Sequence, residues 1–168
     1  MQSDMKLIEV MTDEQIKKTA ALADEIWHEW FVSILSAEQI DYMVNKFQSF
    51  TAMKDQIENS GYKYCLMHRS GEHIGYTAFR QDADGRMFLS KIYIKKACRG
   101  RGYARQTLNF LIDFCKANGL HAIWLTVNKH NDNSIAVYEK TGFKKFGEDV
   151  TDIGNGYVMD DYFFQLDI

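Results

Sequence analysis

A glycine-rich turn between a predicted strand and a predicted helix carries the clearest chemistry in this sequence. The turn reads Arg99-Gly100-Arg101-Gly102. The first N–H groups of a helix have no partner within the helix, and glycines, which lack Cβ, let a ligand approach the backbone closely. The two arginines add charge-assisted hydrogen bonds. The turn therefore predicts a phosphate-binding loop, although a plain strand-to-helix turn has the same short pattern.

Two common phosphate-binding motifs do not fit this turn. A dinucleotide-binding fingerprint needs a third glycine, which is absent, and antiparallel strands are predicted before the turn. A P-loop needs Gly-Lys-Ser/Thr after its glycines, and no such triplet follows. If the turn binds phosphate, it therefore does so as another class of phosphate site, and a plain strand-to-helix turn stays the alternative.

The chain before the turn is predicted to hold a strand, two helices with room for a short third one, and three antiparallel strands. Capping boxes at Thr12-x-x-Gln15 and Ser36-x-x-Gln39 begin two of the helices. Apolar residues recur at helical spacing after each box. The other predicted elements are a strand at 7–11, a short helix at 51–59, and strands at 62–68, 73–80 and 87–94 with turns at Ser70-Gly71 and Asp84-Gly85.

The chain after the turn is predicted to alternate helices and strands. A long helix runs from the turn to Asn118-Gly119, which ends it. An apolar strand at 122–127 is typical of a buried strand, a helix at 133–141 ends at Gly142, and a strand at 157–166 closes the chain. This order predicts an α/β (α+β) fold, in which helices cover a mixed sheet. A length of 168 residues predicts a single domain over residues 1–168.

Composition and charge exclude some classes of function. The formal net charge is −3 and the pI about 5.9, which argues against general nucleic-acid binding because that usually needs a basic face. Three cysteines without a CxxC pair are typical of reduced thiols in a cytosol. The N-terminal residues show neither a signal peptide nor a transmembrane helix, so we expect a cytoplasmic protein with no membrane partner.

Charge is unevenly distributed along the chain. Residues 1–60 are acidic, whereas residues 91–106 contain six basic residues and no acid. One region of a site thus favours an anion and another a cation, unless both surfaces are simply solvated. The basic residues are Lys91, Lys95, Lys96, Arg99, Arg101 and Arg105.

Two segments of the sequence resemble the GNAT superfamily of N-acetyltransferases. Arg99-Gly100-Arg101-Gly102-Tyr103-Ala104 resembles the Arg/Gln-x-x-Gly-x-Gly/Ala signature of that superfamily. The stretch 131–143 is similar to its Asn-rich loop and Tyr-x-x-x-Gly-Phe segment, and the resemblance covers roughly residues 74–168. The resemblance implies a GNAT fold with a central, mostly antiparallel mixed sheet of about seven strands flanked by helices. It also implies acetyl-coenzyme A as cosubstrate, with no metal.

The resemblance assigns cofactor contacts to named positions. The backbone of strand Ile92-Tyr93-Ile94 would splay from its neighbour and pair with the pantetheine arm, and the N–H of Ile94 would polarise the thioester carbonyl. Lys140 would reach the phosphates, unless it is a solvated helix lysine. The residues implied to cradle the pyrophosphate or to contact the pantetheine arm are Arg99, Gly100, Arg101, Gly102, Tyr103, Ala104, Arg105, Asn131 and Asn133.

Within this resemblance Tyr138 is the expected catalytic acid. A thiolate must leave when an amine attacks the thioester. Thiols have a pKa of about 8.5 and phenols of about 10, so a positioned tyrosine hydroxyl can protonate the departing sulfur. Outside the motif, the same tyrosine would be read as a helix residue with its hydroxyl at the surface.

The general base is the least determined part of the expected site. Several relatives carry a glutamate where this sequence has Ser90, which removes the simplest base. A water chain with a carboxylate elsewhere is the alternative, and each candidate carboxylate has a structural reading as well. The candidates are Asp160, Asp161, Glu25 and Glu29, with the isolated His28 and His73 weaker.

The acceptor is expected to be a small cationic amine such as a polyamine. Trp27 and Trp30 lie in sequence beside Glu25 and Glu29, and aromatic rings next to carboxylates bind ammonium groups, although they also serve as ordinary core and surface residues. The runs Met159-Asp160-Asp161-Tyr162 and 91–94 resemble bacterial spermidine/spermine-type N-acetyltransferases. The expected acceptor-binding residues are Trp27, Glu29, Trp30 and Asp160.

Other functions fit the same residues. One alternative is a GNAT enzyme that acts on a protein N-terminus, an amino acid or an antibiotic amine. Another is a non-catalytic acyl-coenzyme A sensor, against which the presence of Tyr138 and the complete glycine-rich loop speaks. Family habit also implies a homodimer, which no feature of the sequence itself indicates.

Overall fold

The computed structural model describes residues 5–168, which form two compact units. The first unit holds the described residues up to Arg80 together with Lys91–Leu111, and the second holds Gln81–Ser90 and Ile112–Ile168. Along the described chain the elements are β1 Lys6–Glu9, α1 Asp13–Trp30, α2 Ala37–Phe47, α3 Phe50–Asn59, β2 Tyr62–Arg69, β3 Glu72–Gln81, β4 Arg86–Ile94, a 3-10 helix Lys96–Cys98, α4 Tyr103–Ala117, β5 Ala122–Asn128, α5 Asp132–Thr141, β6 Lys144–Gly154 and β7 Tyr157–Asp167.

The described strands form a seven-stranded mixed sheet in the order β1-β2-β3-β4-β5-β7-β6. The pairs β1–β2, β2–β3, β5–β7 and β6–β7 are antiparallel. The pair β4–β5 is parallel, with Arg86–Phe88 of β4 aligned to Ala122–Trp124 of β5. The predicted fold class, a mostly antiparallel mixed sheet of about seven strands flanked by helices, is confirmed.

Strand β6 was not predicted as an element. Its sequence, KKFGEDVTDIG, is polar and mostly exposed, so it lacks the apolar alternation that marks a half-buried strand. Its backbone pairs with β7 over nearly its whole length, from Lys144↔Gln165 to Gly154↔Tyr157. Pairing with a neighbour strand, rather than its own side-chain pattern, therefore makes this segment a strand.

Local capping signals begin the N-terminal helices where the sequence predicted. The side chain of Thr12 accepts a hydrogen bond from the N–H of Gln15, and the Gln15 side chain accepts from the N–H of Thr12, which completes the capping box of α1. Ser36 caps α2 in the same way, by accepting from the N–H of Gln39. A third cap, Ser49, begins the short helix α3 by accepting from the N–H of Ala52.

Each unit has its own set of buried apolar residues. In the first unit, Met5, Met67, Ile74, Ile94 and Tyr103 form one buried cluster that joins strands β2, β3 and β4 to the start of α4. In the second unit, the rings of Phe88 and Trp124 lie 4.4 Å apart, and Ile123, Leu125 and Phe164 are buried. Among residues 5–168 no helix is both long enough and apolar enough to cross a membrane.

Candidate active site

The glycine-rich turn of the first unit has the backbone that a phosphate loop needs. Gly100 and Gly102 have φ values of +78° and +86°, in the left-handed region that favours glycine. Apart from the adjoining residues, no atom of the described chain lies within 4 Å of where a Cβ would stand at either glycine, so the turn is open on that side. Helix α4 begins directly afterwards at Tyr103, and the side chains of Arg101 and Arg105 are exposed. The turn thus offers free helix N–H groups and two exposed cations to an anion.

Arg99 is placed differently from the other two arginines of the loop. Its Nε donates a hydrogen bond to the carbonyl oxygen of Ile94 across 3.0 Å. Its guanidinium carbon lies 3.8 Å from the centroid of the Trp30 ring, which is a close cation–π contact. Burial lowers the pKa of Arg99, and the nearby Glu29 opposes that effect. Its side chain therefore packs against the end of β4 rather than standing open beside the glycines.

The end of β4 is held from several sides. The carbonyl oxygen of Ile94 also accepts from Nε1 of Trp30 across 3.3 Å, and the N–H of Lys95 donates to the carbonyl oxygen of Ile74 across 2.8 Å. The side chain of Ile94 is buried in the apolar cluster, with Ile92 packed against it. The ring of Tyr93 instead contacts Trp30 at 6.3 Å between centroids. The three residues predicted to face the pantetheine arm thus form a rigid strand end.

The aromatic residues predicted to bind the acceptor take two different positions. Trp27 is only 5% exposed, and its Nε1 donates to the hydroxyl of Tyr76. Trp30 is half-buried and contacts Arg99 and Ile94 as described above. Trp27 is therefore a core residue, and Trp30 is the tryptophan of this pair that remains partly accessible.

The carboxylates of α1 are engaged with the segment after β4. Glu29 Oε1 accepts from the backbone N–H of Lys96 at 3.4 Å, and Glu25 lies 3.9 Å from Nζ of Lys95. Neither carboxylate is buried. His28 shares hydrogen bonds with the backbone carbonyl of Asp24 and the side chain of Asp41, and both raise its pKa. The described residues contain no cluster of metal-ligating side chains.

The second unit carries the other half of the predicted residues. Asn131 is buried and caps α5, because its side chain accepts from the N–H of Ser134. Asn133 and Lys140 are exposed on the same helix. Gly142 ends the helix with φ +111°, where its N–H donates to the carbonyl of Glu139.

Tyr138 is half-buried on α5. Its ring packs edge-on against Phe143 with 5.4 Å between centroids. Burial raises the pKa of Tyr138 to about 12. The phenol therefore keeps its proton at any physiological pH and can donate a hydrogen bond, and the raised pKa makes it a weaker acid than an ordinary phenol.

The two adjacent carboxylates of β7, Asp160 and Asp161, have different environments. Asp160 pairs with Nζ of Lys129 across 2.8 Å, and Glu148 lies 3.4 Å from the same ammonium. Asp161 is 8% exposed and stands opposite Asn128 at the end of β5. Burial, with a further contribution from Asp160, raises the pKa of Asp161 to about 6. Of the carboxylates predicted as bases, Asp161 has the environment expected of one.

Two residues of the first unit were missed by the sequence analysis. A Cβ at Gly75 would lie 2.4 Å from the carbonyl oxygen of Tyr93, so only glycine lets β3 and β4 approach there. Lys91 points between the rings of Tyr62 and Tyr64, with its Nζ 5.7 Å from each centroid. Burial, with the charge of Arg80, lowers the pKa of Lys91 to about 7. No local pattern in the sequence marks Gly75. Lys91 was noted only as one of the six basic residues of 91–106.

The family of the chain follows from its similarity to known sequences. The profile of the acetyltransferase (GNAT) family matches residues 20–143. This chain therefore belongs to that family, and the resemblance seen in the loop and in the stretch 131–143 is confirmed at this level. The match begins within α1, so it includes N-terminal helices that carry no signature of their own.

Curated relatives are also acetyltransferases, of which one is uncharacterized and another is named for its substrates. An uncharacterized N-acetyltransferase of Mycobacterium tuberculosis is 31% identical over 93 residues, which is 53% of this chain and 60% of that protein. An L-methionine sulfoximine/L-methionine sulfone acetyltransferase of Pseudomonas aeruginosa is 29% identical over 108 residues, which is 59% of this chain and 60% of that protein. The chain thus spans about 60% of the length of these relatives.

Solved structures share the fold over nearly the whole chain. The PaiA N-acetyltransferase of Thermoplasma acidophilum in complex with coenzyme A superimposes with a TM-score of 0.80 at 17% identity, covering 98% of this chain and 99% of that one. The spermidine/spermine N-acetyltransferase SpeG of Vibrio cholerae does so with a TM-score of 0.68 at 19% identity, covering 99% and 95%. At these identities the likeness establishes the fold.

Proposed function

We propose that this protein is an acetyl-coenzyme A-dependent N-acetyltransferase that acetylates a primary amine by direct attack in a ternary complex. The observation that carries this proposal is the open glycine-rich turn ahead of α4, in a chain that belongs to the acetyltransferase (GNAT) family. Gly100 and Gly102 leave room for a pyrophosphate against the backbone, and Arg101 and Arg105 supply exposed positive charge. The residues present fit the cosubstrate.

Each proposed step uses a different residue of the chain. Acetyl-coenzyme A supplies the acetyl group as a thioester. The N–H of Ile94 hydrogen-bonds the thioester carbonyl oxygen, on which negative charge grows as the amine nitrogen forms its bond to carbon. As the carbon–sulfur bond breaks, the hydroxyl of Tyr138 donates its proton to sulfur. Asn131, Asn133 and Lys140 remain proposed cofactor contacts on or beside α5.

The base that removes the proton from the attacking amine is proposed to be Asp161. A pKa of about 6 leaves this carboxylate mostly ionised at neutral pH, yet basic enough to accept a proton. Asp160 is held by Lys129, and Glu25 and Glu29 are engaged near Lys95 and Lys96. Asp161 is thus proposed as the general base, in place of the glutamate that several relatives carry at the position of Ser90 on β4. Asp160 is still proposed to lie beside the acceptor.

The proposed acceptor is a polyamine or a similar small cationic amine. Support comes from the carboxylates of α1 beside the half-buried Trp30, and from the structural likeness to a spermidine/spermine N-acetyltransferase. Trp27 is buried, so it is not proposed to contact the acceptor directly. An amino acid is the second candidate acceptor. The relative from Pseudomonas aeruginosa is named for amino-acid analogues.

The proposal is tested by following thiol release from acetyl-coenzyme A with a panel of amines. The panel contains spermidine and spermine, free amino acids including methionine sulfone, a peptide with a free N-terminus and an aminoglycoside. Turnover that is strongest with polyamines supports the full proposal. Turnover only with amino acids keeps the enzyme and replaces the acceptor, whereas cofactor binding without turnover on any amine indicates a sensor. A single domain, a cytoplasmic location and a homodimer remain predictions.

A further inference from the structure

We propose that Trp30 and Arg99 are positioning residues that hold the peptide groups at Ile94, and that Arg99 is not a ligand of the pyrophosphate. This inference rests on the proposed function, because it assigns a purpose to the geometry around the proposed oxyanion donor. It changes the expected role of two residues. Trp30 was predicted to bind the acceptor, and Arg99 was predicted to bind phosphate.

Both side chains converge on one oxygen atom. The carbonyl oxygen of Ile94 accepts from Nε of Arg99 at 3.0 Å and from Nε1 of Trp30 at 3.3 Å. The guanidinium lies over the indole, 3.8 Å from guanidinium carbon to ring centroid. Each donor therefore fixes the other, since neither can rotate away from the carbonyl without losing the stacking contact.

The orientation of Arg99 leaves it poorly placed to serve as a phosphate ligand. Its Nε is already used by the carbonyl oxygen of Ile94, and its guanidinium lies over the indole of Trp30. A guanidinium that cradles pyrophosphate would instead stand open beside the glycines, as Arg101 and Arg105 do. The cation–π contact with Trp30 stabilises the partly desolvated charge of Arg99.

The peptide groups on both sides of Ile94 are held. The N–H of Lys95 donates to the carbonyl oxygen of Ile74, so the peptide that follows Ile94 is fixed at its nitrogen as well as its oxygen. The peptide that precedes Ile94 has its carbonyl, that of Tyr93, packed against Gly75. The N–H of Ile94 belongs to that preceding peptide. Its direction is therefore set by a backbone anchored at both neighbours.

Such anchoring has a catalytic purpose because a donor contributes only when it is aimed at the developing charge. Removing a donor of this kind outright typically lowers turnover by about 100-fold to 1000-fold. Loosening the same donor loses part of that contribution. We therefore expect a loss of about tenfold in kcat when either side chain is altered, with the affinity for coenzyme A unchanged.

The test compares four variants of the full chain with the wild type. Arg99→Gln and Arg99→Lys remove the planar Nε–H fork, but only the second keeps the charge. Trp30→Phe keeps a ring for packing and removes the indole N–H. Arg101→Gln is the matched control, an exposed arginine of the same loop. The measurements are kcat and KM for acetyl-coenzyme A, and the Kd of coenzyme A by calorimetry.

The expected pattern separates positioning from phosphate binding. Arg99→Gln, Arg99→Lys and Trp30→Phe should each lower kcat by about tenfold and leave the Kd of coenzyme A within about twofold. Arg101→Gln should instead raise that Kd several-fold, as the loss of a phosphate contact would. If Arg99→Gln weakens coenzyme A binding while Arg99→Lys restores it, Arg99 is a phosphate ligand and the inference is overturned.

A second measurement does not depend on turnover. Hydrogen exchange of the Lys95 amide, followed by NMR, reports on the same peptide. It should be faster in Arg99→Lys and in Trp30→Phe than in the wild type and in Arg101→Gln. Unchanged exchange in both variants overturns the positioning role even if the protein proves inactive. A wild type that binds coenzyme A but acetylates nothing would instead refute the proposed function alone.

Discussion

The indole N–H of Trp27 donates to the hydroxyl of Tyr76 across 2.8 Å, and that hydroxyl in turn donates to Oε1 of Gln48 at the same distance. All three side chains are buried, with Tyr76 and Gln48 fully so. Burial raises the pKa of Tyr76 well above its ordinary value, so the hydroxyl stays protonated and able to donate. This chain of hydrogen bonds ties helix α1 to strand β3 within the first unit.

The first prediction is that Trp27→Phe affects stability rather than acceptor binding. The variant leaves the Tyr76 hydroxyl with one partner fewer and opens a small cavity, so the free energy of unfolding should fall by about 1–3 kcal/mol. Chemical denaturation measures this loss. A double-mutant cycle with Tyr76→Phe should show coupling between the two sites. An increase of tenfold or more in the KM of the acceptor, with stability unchanged, would place Trp27 at the acceptor after all.

The second prediction concerns the close approach of β3 and β4. Gly75→Ala puts a methyl group 2.4 Å from the carbonyl oxygen of Tyr93, and a backbone atom cannot yield cheaply. We expect a loss of about 1–3 kcal/mol in stability and a reduced kcat, because β4 must shift. Gly147→Ala is the matched control, since its methyl would meet only the Phe163 side chain at 3.4 Å. Equal effects of the two variants on kcat and stability would contradict this explanation.

Gly75 also shows where the sequence analysis reached its limit. The glycine-rich turn and the caps of α1 and α2 are local signals, and a few neighbouring residues determine the backbone at each of them. The need for glycine at position 75 arises from a strand about eighteen residues away along the chain. No local pattern reports such a contact, so only the folded backbone reveals it.

The residue types of the candidate site could be predicted from the sequence, but the contacts between their side chains could not. The types Arg, Gly, Asn and Tyr at the right spacing indicated the family, and the family profile agrees. Which arginine faces a ligand and which packs on Trp30 depends on side-chain directions at the end of β4. Likewise, Asp160 and Asp161 are adjacent in sequence but face opposite ways on a strand, so one pairs with Lys129 and the other is buried.

The third prediction is a pH profile controlled by Asp161. A base with a pKa of about 6 must lose its proton to act, so kcat/KM should rise as the pH increases through about 6. Asp161→Asn should lower turnover by at least about 100-fold and remove this acidic limb, whereas Asp161→Glu should retain part of both. Asp160→Asn, the neighbouring control, should keep the limb. A wild-type limb that persists in Asp161→Asn would exclude Asp161 as the base.

Ionisation of Asp161, which the proposed catalysis needs, should lower the stability of the fold. The folded-state pKa of Asp161 is raised above the unfolded value, so the folded state binds more protons between about pH 4 and 6 and loses stability as the pH rises through that window. Asp161→Asn removes this cost and should raise the free energy of unfolding at pH 7 by about 1–3 kcal/mol. A variant that is less stable than the wild type at pH 7 would show that the ionised carboxylate is stabilised in the fold.

The fourth prediction concerns the lysine between two tyrosine rings. The pKa of Lys91 is lowered to about 7 in the fold, below its unfolded value, so between about pH 7 and 10 the unfolded chain binds more protons and stability rises with pH. Lys91→Met should therefore stabilise the protein by about 2 kcal/mol at pH 7 and by much less at pH 10. Lys63→Met, at an exposed lysine on β2, is the matched control for the loss of a lysine side chain. A gain that is equal at both pH values would contradict the lowered pKa.

The fifth prediction is the most direct test of the proposed chemistry. Thiol release from acetyl-coenzyme A is measured with the preferred amine for the wild type and for Tyr138→Phe, alongside calorimetric binding of coenzyme A to both. The wild type should turn over, and the variant should lose about 100-fold or more in kcat with its affinity for coenzyme A nearly unchanged. Tyr42→Phe, on helix α2, should behave like the wild type. Failure of the wild-type protein to bind either coenzyme A or its acetyl form would contradict the proposal that the glycine-rich turn binds this cosubstrate.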